Sequence, residues 1–141
     1  MLDRIARLLL KIAYGIHLVL PRPGRRRQGV AVAVWQRDRV LFVRHSYRRG
    51  YFLPGGNVRR KETLREAARR ELREEVGIDA ELDALLPVYT TAAIAVFEYY
   101  PCRSPAIEVD NREIVEAALA RPDEIASLPG FMESYLLSRI R

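Results

Sequence analysis

Residues 63–77 read Thr-Leu-Arg-Glu-Ala-Ala-Arg-Arg-Glu-Leu-Arg-Glu-Glu-Val-Gly, and they carry a helix start, a helix stop and two chemically distinct faces. No other stretch constrains the fold as tightly. Thr63 and Glu66 form a Thr-x-x-Glu capping box, in which the hydroxyl accepts from the Glu66 N–H while the Glu66 carboxylate reaches back. Gly77 stands where a left-handed residue ends a helix, a conformation glycine adopts without a Cβ clash. The spacing therefore predicts a helix over residues 64–76. Leu64, Ala67, Ala68 and Leu72 form its apolar stripe, and Glu71, Glu74 and Glu75, at i, i+3 and i+4, share another face.

Like charges so spaced destabilise a helix by a few tenths of a kcal/mol per pair. Either Arg65, Arg69, Arg70 and Arg73 neutralise them on a solvated surface, or the carboxylates collect a hard divalent cation. The segment before the helix bears on this choice. Leu53-Pro54-Gly55-Gly56 and the short basic loop 57–61 let backbone groups approach a metal or a phosphate without intervening side chains. A Pro-Gly-Gly turn alone is ordinary. Loop and helix together, residues 56–78, match Gly-x5-Glu-x7-Arg-Glu-U-x-Glu-Glu-x-Gly-U (U aliphatic) at every defined position. This resembles the Nudix box, the signature of the Nudix hydrolase family. A looser resemblance, through Arg44-His45 and the Tyr51-to-Gly56 lead-in, reaches back to residue 44.

The resemblance implies an α/β/α sandwich with a mixed sheet and a metal-dependent pyrophosphohydrolase. Its substrate would be a nucleoside diphosphate derivative or a similar small phosphorylated molecule. Mg²⁺ (or Mn²⁺) would be held by Glu71, Glu74 and Glu75, helped by a carbonyl of the Gly55-Gly56 turn. Glu71 would take the proton of the attacking water, with Glu113 and Glu116 as rivals. Glu62 and Arg70 would be the structural ion pair of the box. Arg44, Arg48, Arg49 and Lys61 are candidate phosphate donors alongside Gly55 and Gly56, because arginine binds phosphate bidentately. Lys61 stands where relatives commonly carry glycine. Residues 88–93 are shorter and blander than the usual hairpin, and Ala118-Leu119-Ala120 replaces an aromatic pair, which removes family contacts to a base or sugar. Two other functions stay open: an RNA-end pyrophosphohydrolase, and a non-catalytic Nudix-like domain that binds nucleotides.

The chain's 141 residues suit one core. Cys102 is the only cysteine, so neither an intrachain disulfide nor a cysteine-rich zinc site can form, and a small buried or half-buried role is expected for it. Charge divides the chain unevenly. Residues 1–27 carry seven basic side chains against Asp3, which accounts for the whole net charge of +6 and leaves residues 28–141 balanced. A balanced domain argues against a nucleic-acid groove. The organisation expected is a basic appendage over 1–27 and a hydrolase domain over 28–141.

The appendage reads as a helix with Ile5, Leu8, Leu9, Ile12, Ile16 and Val19 on one side and Arg4, Arg7 and Lys11 opposite, ended by Pro21 and Pro23. It is too short and too charged to span a bilayer, and no small-x-small cleavage site follows, so a cytoplasmic protein is expected. Two fates remain for its apolar side. It packs on the domain or on a second copy in a homodimer, or it lies on an anionic membrane with the Arg25 cluster adding attraction.

Elsewhere, residues 29–35 and 40–45 predict a hairpin, and 80–89, 92–100 and 112–118 predict three further strands. A helical turn is expected over 122–127. A terminal helix over 130–140 should turn Phe131, Tyr135, Leu136 and Ile140 inward. Phe97 and Tyr89, Tyr99 and Tyr100 read as core or sheet-face residues.

Overall fold

The computed structural model describes residues 1–19, 28–125 and 130–140, with only the backbone described for 13–19 and Phe131. A valine-rich strand explains the architecture. In β1 (Gly29–Gln36) nearly every side chain is buried. Val30, Val32 and Val34 face one apolar cluster, and Ala31, Ala33 and Trp35 face another. Alternation along a strand sends successive side chains to opposite faces, so a strand apolar at both parities must be covered on both sides. Helices supply both covers. Ala67, Ala68, Leu72 and Val76 of α2 (Leu64–Val76) pack on the valine face, while Met132 and Leu136 of α3 (Gly130–Arg139) pack on the other. Leu72 is fully buried, and its truncation to alanine should cost about 2–5 kcal/mol.

The sheet between them has seven strands. β2 (Arg39–His45), β3 (Tyr51–Phe52), β4 (Gly55–Asn57), β5 (Leu86–Thr90), β6 (Ile94–Tyr99) and β7 (Ile114–Ala120) join β1 in the order β3-β2-β1-β6-β5, with β4 added to β1 and β7 to β2. Among the described residues only β1 and β6 run parallel. The pairing of β1 is divided along its length. It meets β2 only at Trp35 and Gln36 beside the turn, whereas Gly29 to Ala31 pair with Gly55 to Asn57 of β4. The first two strands thus part, and the glycine-rich segment enters the gap.

The sandwich, the hairpin and the helix over 64–76 agree with the sequence reading, and both capping-box hydrogen bonds of Thr63 and Glu66 are present. Gly77 caps the end at φ +70°. Several expectations need correction. Residues 80–85 are not strand: a 3-10 turn, Leu82–Ala84, intervenes, because Ala80 and Leu85 are both drawn into the core and a straight strand cannot bury two residues of opposite parity on one side. The strand expected over 112–118 starts and ends two residues later. Cys102 is exposed, in an irregular segment after β6 that packs nothing over it. Tyr89 and Tyr100 are exposed, whereas Phe97 is buried and Tyr99 packs on the core. Leu136 and Tyr135 of α3, and Ile140 just after it, turn inward as expected, joined by Met132. The turn expected over 122–127 appears as Pro122–Glu124, and its last two residues lie outside the described ones, as does the Phe131 side chain.

The first helix, α1 (Leu2–Val19), forms as expected. Its polar side meets the domain: Arg7 Nε donates to the Asn111 carbonyl at 2.8 Å, and Asp3 pairs with Arg112 at 3.1 Å. Ile5, Leu8, Leu9 and Ile12 are each about half exposed. The side chains of Ile16 and Val19, the terminating Pro21 and Pro23, and the Arg25 cluster lie outside the described residues.

Candidate active site

The site grows from two glycines, each leaving empty the space where a Cβ would stand. A Cβ on Gly55 would stand 2.1 Å from the Val30 carbonyl oxygen, so β4 can lie on β1 only with glycine there. A Cβ on Gly56 would stand 2.4 Å from Glu71 Oε1. The absent side chain makes room for a carboxylate.

Arg70 arranges the acids around that loop. Its guanidinium grips Glu62 bidentately, at 2.8 and 2.9 Å, and also donates to the Asn57 carbonyl at 2.9 Å. Through Nη1 it reaches Glu71 at 2.7 Å and Glu74 at 3.3 Å. Glu62 is thereby tied to α2, and its carboxyl is held down to about 2, chiefly by the Arg70 hydrogen bonds. This is the structural pair anticipated from the box. Burial, only partly opposed by Arg70, raises the Glu71 carboxyl.

Glu75 sits deeper. It is 2% exposed; one oxygen accepts the Gly55 N–H at 3.1 Å, while the other has no hydrogen-bond partner among the described residues. Burial, and then the charge of Glu71, push its carboxyl up to about 9. An unsatisfied buried oxygen costs free energy unless something else engages it. His45 Nε2 lies 3.9 Å from it, too far for a hydrogen bond. Ligand atoms of His45, Glu75 and Glu113 all fall within 4.8 Å of one another. Burial, and then Arg48, depress His45 to about 4, so it is neutral near pH 7 and able to ligate. A divalent cation fits this donor set.

The three helix glutamates therefore do not stand alike. Glu71 and Glu75 turn toward the glycine loop, whereas Glu74 is half exposed and is shared between Arg70 and Arg59. A cavity of about 600 Å³ opens above them, lined by Gly55, Gly56, Arg48, Glu71, Glu74 and Glu113 among others. The substrate candidates separate as well. Arg48 lines the cavity and stacks 3.7 Å over the Phe52 ring. Arg44 is engaged by Glu116 at 2.9 Å in a neighbouring pocket, where Arg49 also lies. Glu116 also accepts from Tyr51, and Glu113 from Tyr47, but of the two it is Glu113 that lines the cavity, which makes it the nearer rival to Glu71 as base. Lys61 is exposed in the loop at φ +65°, which explains why glycine suits that position.

His45 as part of the constellation was not assigned from sequence. Its alternation in β2, buried beside exposed Arg44, was the available signal. Glu113 came forward only as a possible base; its meeting with Glu75 depends on β7 pairing with β2, where Ile114 lies opposite His45.

Comparison with known proteins agrees with this geometry. A "MutT-like protein" of Streptomyces ambofaciens is 32% identical over 97 residues, which cover 67% of this chain and 63% of the relative. The human "8-oxo-dGDP phosphatase NUDT18" is 38% identical over 76 residues, 48% of this chain and 24% of that protein. The chain thus spans less than two thirds of the length of either relative. A crystal structure described as a nudix hydrolase family member from Chromobacterium violaceum superposes with a TM-score of 0.63 at 25% identity, covering 84% of this chain and 79% of that one. The NUDIX domain model matches residues 25–135, most of the chain, including every element of the site just described. The chain belongs to the NUDIX domain family.

Proposed function

We propose that the protein is a divalent-metal-dependent hydrolase that cleaves a diphosphate linkage in a nucleoside diphosphate derivative or a similar small phosphorylated molecule. The observation that carries this reading is the buried, unpartnered oxygen of Glu75, set beside His45 and Glu113 under an open cavity. Glu75 and Glu113 would hold Mg²⁺ or Mn²⁺ together with the helix carboxylates Glu71 and Glu74, with His45 in reach. Such an ion supplies charge neutralisation to a diphosphate and a lowered pKa to an attacking water.

The chain's own groups account for the rest. Glu71, its carboxyl raised by burial and held against Gly56, is assigned the removal of the water proton. Arg48 on the cavity wall offers a bidentate donor to phosphate oxygens. Arg70 with Glu62 keeps α2 in register with the loop, a positioning role. Similarity to a protein named as an 8-oxo-dGDP phosphatase supports nucleoside diphosphates as the first compounds to try. The charge balance of residues 28–141 weighs against an RNA end, which would call for a basic groove.

The test is release of phosphate or nucleoside monophosphate from a panel of nucleoside di- and triphosphate derivatives with Mg²⁺ or Mn²⁺, for wild type and Glu74→Gln. Metal-dependent turnover that falls in the variant supports the reading. A folded protein that binds Mn²⁺ yet turns over no member of the panel rejects it in favour of a binding domain.

A further inference from the structure

The outward side of α1 is apolar where water should favour polarity. Leu2 is 74% exposed, Ile5 48%, Leu9 60% and Ile12 50%. These four recur at intervals of three and four residues and so form one continuous stripe along the helix. Leu8, 57% exposed, widens it. The opposite side is committed, with Arg7 on Asn111 and Asp3 on Arg112, so the helix cannot roll to bury the stripe without breaking both contacts. An amphipathic helix anchored by its polar side has its apolar face free for something outside the domain.

Charge decides what that is. Exposed Arg4 and Lys11 lie together to one side of the apolar face, beyond Leu8, and residues 1–27 carry seven basic side chains against one acid, Asp3, already paired with Arg112. A second copy placed stripe against stripe would add a second pair of exposed bases, Arg4 and Lys11, and no free acid to meet them, since Asp3 is held by Arg112. A surface of anionic phospholipid meets both features: acyl chains accept the leucine and isoleucine side chains while headgroups attract the neighbouring bases. No helix among the described residues is long and apolar enough to cross a membrane, so the contact lies in the interface plane. We propose that α1 is a peripheral membrane anchor, its Leu2-Ile5-Leu9-Ile12 face seated in the interfacial layer of an anionic phospholipid bilayer.

The position of the helix ties this contact to the site. Leu10 lines the candidate catalytic cavity, and Lys11 lines the adjoining pocket with Arg44 and Arg48. A docked protein would therefore hold its cavity mouth beside the lipid surface.

Co-sedimentation of the full chain with phosphatidylcholine vesicles, with and without phosphatidylglycerol, tests the anchor without reference to catalysis. Expected is binding to the phosphatidylglycerol vesicles that weakens with added salt and falls about tenfold or more in Ile5→Glu/Leu9→Glu. Arg4→Glu/Lys11→Glu should weaken binding to anionic vesicles while leaving the apolar stripe intact. Unchanged thermal midpoints would show that both variants fold. The proposal is overturned if the full chain stays in the supernatant, or if both variants bind like wild type. It is equally overturned if analytical ultracentrifugation finds a dimer that Ile5→Glu/Leu9→Glu dissociates, for then a second copy covers the stripe.

Discussion

Two carboxylates, Glu75 and Glu98, are buried to the same depth, at 2% and 1% exposure, and lead opposite lives. Glu98, on β6, is surrounded by donors: Arg139 grips it through Nε at 2.6 Å and Nη2 at 2.5 Å, and the hydroxyls of Tyr100 and Tyr135 donate to it as well. Burial pushes its carboxyl up, but these partners prevail and hold it below the ordinary range. Glu75 has one backbone N–H, an orphaned oxygen and the like charge of Glu71 nearby. The first arrangement fastens α3 to the sheet. The second leaves a buried carboxyl with one contact and one unpartnered oxygen beneath a cavity. How completely a buried acid is satisfied, rather than how deeply it is buried, separates structure from function here.

That contrast can be broken most directly at Glu75. Glu75→Gln should lower metal-dependent turnover by about 100-fold or more while the thermal midpoint does not fall, since the amide keeps the Gly55 contact and is neutral, as the carboxyl raised to about 9 is near pH 7. A melting loss comparable to that of an Arg139 variant would erase the distinction. Gly56→Ala sharpens it, because the added Cβ can be relieved only by moving the Glu71 carboxylate. Turnover should drop by about tenfold to 100-fold with little change in the urea midpoint. A variant with wild-type turnover would remove Glu71 from the mechanism.

Arg139→Ala is expected to do the reverse. It strips the buried Glu98 of its charged partner and should cost about 1.5–3 kcal/mol in urea unfolding, with kcat retained. The smallest effect concerns the Glu62–Arg70 pair and appears as a pH dependence. The Glu62 carboxyl lies lower in the folded protein, at about 2, than its ordinary value of 4.5, so its contribution is complete above about pH 4.5 and is lost as the pH falls toward 2. The stability difference between wild type and Glu62→Gln should therefore shrink over that window. A constant difference, read from urea midpoints at several pH values, would mean that the ionised pair contributes nothing.

Legibility from sequence followed the range of the interactions. α2 was readable residue by residue, since its cap, stripe and terminating glycine all lie within one short segment. The pairing of Glu62 with Arg70 was readable too, from the box. β4 was not, because Gly-Gly-Asn has no strand propensity and becomes a strand only by lying against Gly29 to Ala31. The exposure of Cys102 and the 3-10 turn at Leu82–Ala84 were likewise set by what packs, or fails to pack, around them.

The sequence by itself determined the family, the α/β/α layering and the acid-rich helix beside a glycine loop, because capping, periodicity and close glycine approach are local physics. Tertiary structure alone decided which glutamate would be left unsatisfied, that His45 and Glu113 would converge on it from β2 and the start of β7, and which way the first helix would face. Those outcomes depend on strand register and on competition among distant partners for the same charges. Neither is written in the spacing of neighbouring residues.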